Sequence, residues 1–265
     1  MMAGCRWTAI APSQVVVSST KRRSSGAEDQ NLATASSHSA SLNFYAAGRL
    51  YPLIRKIYLS STMRYLHYVV GYLLLTVGAT SRRHSKLFTS TAPFTDHHFP
   101  TIPMECPELG PSGTYLDKDH TSEGAGLIPA LSWPSPSHNT VEYVLVCENP
   151  DAPVPESVIH GLYYRISREK TGLQHPDFRL KNDSWEPYML LGGFKYGKNR
   201  YDSIYVPPSP FFGHGPHRYV FELIALNDSI ETDYMSGLAT IDEVKREIQG
   251  KVAAWGEWVG VVVGP

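Results

Sequence analysis

Residues Pro207 to Leu226 constrain the fold more than any other stretch of this 265-residue chain. Pro207, Pro208 and Pro210 lack the N–H that a β-ladder needs, and Gly213 and Gly215 permit backbone angles that other residues avoid, so the first half is an irregular loop. From Tyr219 to Leu226 the residues are apolar and aromatic with Glu222 as the only charge, the pattern of a mostly buried strand. A rigid loop therefore delivers His214, His217, Arg218 and Tyr219 to the mouth of a core strand. Loops held by a rigid scaffold are where binding residues concentrate.

The rest of the chain supplies partners for that strand. Val141 to Cys147 reads as a continuously buried strand, and Ser157 to Ile166 as the next, with His160 inside it. Between them Asn149-Pro150-Asp151-Ala152-Pro153 is a turn by chemistry: Asn and Asp cap their own backbone and the prolines fix φ. Residues 167–200 form a long polar connection containing Gly192-Gly193 and Gly197-Lys198-Asn199, of a length that is usually functional or ordered by the fold. Thr240 to Gly250 predicts a helix, with Thr240 and Glu243 spaced as a capping box and Gly250 placed as the stop. Trp255, Trp258, Val261 and Val263 suggest a closing strand. The 20 prolines, 21 glycines, 16 tyrosines and five tryptophans favour turns and strands over helices. The expected fold is mainly β: an antiparallel β-sandwich of about eight short strands with Greek-key-like connections and one or two peripheral helices.

Three segments follow from composition. Residues 1–62 show no sustained hydrophobic period and read as a disordered or processed extension; Met1 to Arg23, basic and Ser-rich, also has a presequence-like composition. Residues 63–83 hold the apolar run Tyr65 to Ala79, shorter than a membrane helix requires, which reads as a docking helix or a gene-model artefact, with a membrane or export signal as the alternative. Residues 84–265 form the domain. Cys5, Cys106 and Cys147 have no CxxC spacing, which argues against a disulfide framework and a zinc site, and Cys147 reads as a small buried hydrophobe.

Two motifs carry a family resemblance. Asn149-Pro150-Asp151-Ala152-Pro153 followed by His160, and Pro208-Ser209-Pro210 followed by Gly213-His214-Gly215-Pro216-His217-Arg218-Tyr219, resemble the two signatures of the phosphatidylethanolamine-binding proteins (PEBP), closest to the bacterial and fungal branch. The resemblance runs from about Leu87 to Val263. It implies a small surface pocket, with Asp151, His160, His217 and Tyr219 as ligand-contacting residues and Pro208 and Pro210 on the rim. Histidine N–H and tyrosine O–H groups suit the capture of a phosphate or carboxylate. Arg218 reads as the partner of an internal carboxylate and His214 as a loop-stabilising residue. Asn149 stands where the family usually has an acidic residue, which weakens recognition of an ethanolamine ammonium and favours a more highly charged anion.

The function expected from the resemblance is an anion- or phospholipid-headgroup-binding protein that regulates or inhibits a protein partner, more a binding module than an enzyme. The alternative is a PEBP-like enzyme or assistant in fungal secondary metabolism, acting on carboxylate or anhydride intermediates with His160 or His217 as base and Arg218 as anion clamp. A net charge of −1 gives no footprint for nucleic acid. Neither a nucleotide loop nor a Gly-x-Ser-x-Gly elbow is present, and no metal, cofactor or stable membrane span is expected. The location expected is cytoplasmic, with secretion or mitochondrial import as alternatives if the N-terminal segments are targeting signals.

Overall fold

The computed structural model describes residues 65–66, 69–70, 72–73, 86–210 and 213–264. The extension expected over 1–62, and most of the 63–83 segment, lie outside the described residues; within the latter, 65–66, 69–70 and 72–73 are helical. No helix among the described residues is long and apolar enough to cross a membrane.

Eight strands form the domain: β1 (Thr114–Tyr115), β2 (Leu131–Ser132), β3 (Glu142–Asn149), β4 (Val158–Ser167), β5 (Gly172–Leu173), β6 (Lys195–Tyr196), β7 (Pro216–Leu226) and β8 (Val252–Val263). Six make one mixed sheet in the order β1-β8-β7-β3-β4-β6, parallel only at β1–β8, while β2 and β5 pair as a small antiparallel sheet. The chain runs from β3 to its neighbour β4, then crosses to the far side of β3 to lay down β7, which gives the expected Greek-key-like connection.

The long strands read as unbroken apolar runs because the large sheet is covered on both faces. Tyr143, Leu145, Cys147, Phe221, Leu223 and Trp258 pack with Leu131, Trp133 and Leu173 of the small-sheet layer. Val144, Val146, Ile224 and Leu226 pack on the other face with Phe88, Phe94, Val244 and Ile248. Val244 belongs to α1 (Ile241–Glu247), which begins with the expected capping box: the Glu243 N–H donates to Thr240 Oγ1 (3.3 Å) and the Thr240 N–H to Glu243 Oε2 (2.7 Å). The largest boundary difference is at β7, which begins at Pro216, three residues early, because a proline is tolerated as the first residue of a strand. Leu131 and Ser132 supply a two-residue strand of the small sheet.

Candidate ligand-binding site

β7 and β4 position the site. Alternation along β7 sends His217 and Tyr219 to the face of Phe221 and Leu223, and Arg218 to the opposite face with Glu222. The preceding loop needs its glycines, since Gly213 and Gly215 adopt φ of +72° and +85°, angles that strain other residues. β4 contributes His160, whose ring meets the Tyr219 ring edge to face at 4.9 Å.

These residues open on a cavity of about 260 Å³. Asn149, His160, His217 and Tyr219 form its polar lining together with Arg200 and Ser209, and the walls include Ala152, Pro153, Val158, Val206, Pro207 and Pro210. Of the residues expected at the pocket, His160, His217, Tyr219 and Pro210 line it. Pro208, one residue along, is buried beside it rather than lining it. Asp151 and Arg218 face each other instead. Arg218 donates to both carboxylate oxygens, Nε to Oδ2 (2.9 Å) and a terminal nitrogen to Oδ1 (2.8 Å), and its backbone N–H donates to Oδ2 (2.8 Å). Burial resists ionisation of Asp151, but the bonds from Arg218 win and hold its carboxyl below the usual range. Arg218 is thus the partner of an internal carboxylate and is not placed as an anion clamp.

The histidines are neutral. His160 Nδ1 lies 2.6 Å from the Val206 carbonyl oxygen, which can only accept, so Nδ1 carries the proton and Nε2 keeps its lone pair. Burial lowers the His160 pKa to about 4, and Arg200 adds to the effect against the raising influence of the Val206 carbonyl. His217 also falls to about 4: burial dominates, and His214 and His160 outweigh the pull of Asp151. Both rings are therefore neutral, and where two N–H donors were expected His160 presents an acceptor.

The cation at the cavity is Arg200, which sequence reasoning did not single out. It stacks over the Tyr201 ring at 4.8 Å, and both residues line the cavity. Buried Asn199 builds the turn that places them. Its Nδ2 donates to the carbonyls of His160 (3.2 Å) and Ser203 (2.6 Å), and its Oδ1 accepts from the Tyr201 and Ser203 N–H groups, each at 3.1 Å. Val206 then docks back on β4, donating its N–H to the His160 carbonyl (2.9 Å). No local pattern announces this arrangement; the length of the 167–200 connection was the one signal.

The chain thus builds a β-sheet domain with a polar pocket where an Asn-Pro-Asp turn meets a Gly-His-Gly-Pro-His-Arg loop. The family model described as phosphatidylethanolamine-binding protein matches residues 109–263, and the chain belongs to that family. Phomoidride biosynthesis cluster protein B of a fungal species is 35% identical over 76% of this chain and 95% of its own length. The protein of the same name from Talaromyces stipitatus is 35% identical over 65% of this chain and 71% of its own. The crystal structure of E. coli YbcL, a member of the mammalian PEBP family, shares the fold with a TM-score of 0.51 at 20% identity, covering 60% of this chain and 96% of that one.

Proposed function

We propose that this protein captures a small anionic metabolite in the pocket, with Arg200 pairing the anion, the Tyr219 hydroxyl donating to it, and His160 Nε2 accepting a proton-bearing group. One observation carries the reading: a neutral histidine with a bare Nε2 shares a small cavity with an arginine. The volume of about 260 Å³ falls just below the range of about 300–1,000 Å³ typical of drug-sized ligands, which suits a headgroup or a small carboxylic acid rather than an acyl chain. The name shared by the two fungal relatives places them in a biosynthesis cluster, and this supports a metabolic small molecule as ligand.

A second reading builds on the first. His160 is neutral at neutral pH, and its Nδ1–H donates to a backbone carbonyl, which leaves Nε2 as an acceptor. That nitrogen is placed to take a proton from a bound acid next to an anion held by Arg200, although a pKa of about 4 makes it a weak base beside the near-neutral value that suits general-base catalysis.

Calorimetric titration of the full chain with inorganic phosphate, phosphoethanolamine and succinate tests the binding reading. Arg200→Met is expected to weaken the preferred anion by about tenfold or more, since a charge-assisted hydrogen bond is worth about 1.5–3 kcal/mol. His160→Ala is expected to weaken it as well. Absence of heat with all three compounds, or binding indifferent to both substitutions, overturns the assignment.

A further inference from the structure

We propose that Asn149 is the positioning residue that sets the hydrogen-bond polarity of this pocket, holding His217 Nδ1 as an acceptor. His217 is then spent on His214.

The argument proceeds atom by atom from one fixed donor. The Asp151 backbone N–H can only donate, and it lies 3.0 Å from the Asn149 side-chain oxygen, so the amide orientation is determined. The Asn149 Nδ2 therefore carries the two protons. One points to His217 Nδ1 at 3.1 Å, which must accept and is bare. His217 consequently holds its proton on Nε2 and donates it to His214 Nδ1, 2.5 Å away. His214 in turn is protonated at Nε2, an atom that is buried and has no hydrogen-bond partner among the described residues.

This pattern depends on an amide at position 149. A carboxylate there has no proton to give. It would turn His217 Nδ1 into a donor and pull the ring toward its charged form, in a setting where Asp151 already attracts that charge and His214 and His160 oppose it. Asn149 thus keeps a positive charge out of the pocket wall and leaves Arg200 as the cavity's cation. It also gives the chain's departure from the acidic residue of the resembled signature a physical consequence.

The test uses ligand-free full-length protein, so it fails or succeeds independently of the proposed binding function. ¹⁵N-detected NMR of the histidine rings at neutral pH is expected to show His217 and His214 both in the Nε2–H tautomer. In Asn149→Asp, His217 is expected to become Nδ1-protonated and to titrate higher by about 1–3 pH units. Asn149→Ala, which removes both proton and oxygen, is expected to release the tautomer to a mixture without that rise. A wild-type His217 with its proton on Nδ1 overturns the proposal, whether or not the variants fold. Tautomers that do not change in Asn149→Asp overturn it equally.

Discussion

Strand β7 carries ionisable groups on both faces, and they are handled in opposite ways. On the face that reaches the cavity, His217 is buried as a neutral ring, and every polar atom it has is matched to a neutral neighbour. On the opposite face lie two sites with carboxyls. Asp151 meets Arg218 and is ionised. Glu222, fully buried in the same strand, has no such cation among the described residues: it accepts from Thr89 Oγ1, packs against Glu148, and burial with that second carboxyl pushes its pKa well up. Glu148 instead accepts from the Phe88 N–H (2.6 Å), so both carboxyls are held by the N-terminal segment that covers this face. Asp151 and Glu222 are similarly buried, at 4% and 0% exposure, yet shift in opposite directions. The partner decides the charge state, and burial alone does not.

The largest expected effect breaks the ionised pair. Arg218→Met leaves the Asp151 carboxylate buried and uncompensated, and it is expected to cost about 3–5 kcal/mol in urea unfolding. Glu222→Gln is expected to cost no more than about 1 kcal/mol at neutral pH, because it replaces a protonated carboxyl by a neutral group of the same shape. Equal costs for the two substitutions would mean that Glu222 is ionised and paired, which contradicts the contrast.

The pH dependence sharpens the same comparison with opposite signs. The folded-state pKa of Asp151 is depressed below 3.8, so its contribution is present above that value and is lost as pH falls through the folded pKa. The folded-state pKa of Glu222 is raised above 4.5. Its contribution is present below 4.5 and is lost as pH rises toward the folded value, because the unfolded state ionises first. Relative to wild type, Glu222→Gln is therefore expected to be more stable at pH 8 than at pH 4, and chemical unfolding at the two pH values checks it.

A smaller effect concerns the cavity face. A pocket with one cation, one hydroxyl donor and one bare nitrogen fits an anion that retains a proton, and a fully ionised dicarboxylate sets its second charge against the His160 lone pair. Succinate affinity is expected to rise between pH 7 and pH 5, a range in which His160, with a pKa of about 4, stays neutral. Affinity that falls over that range contradicts the donor–acceptor assignment.

Much of this was legible in the chain. The apolar runs of β3 and β7 announced strands covered on both faces, and the capping box announced α1. The two motifs brought His160, His217 and Tyr219 to one cavity, and the pairing of Arg218 with a carboxylate was expected. Arg200 was not legible, because its position depends on the Asn199 amide bridging to the His160 carbonyl, a contact 39 residues away in sequence. The protonation of the histidines was not legible for a related reason. Spacing shows that an acidic residue is near, but not that burial will outweigh it.

The most direct test of the neutral pocket is the NMR titration of the His160 ring between pH 3 and pH 8 in the ligand-free protein. The structure predicts an Nδ1-protonated neutral ring throughout the physiological range, charging only near pH 4. A midpoint at or above 6.5 would make His160 a cationic donor at the pocket and contradict both its role as acceptor and the binding mode built on it.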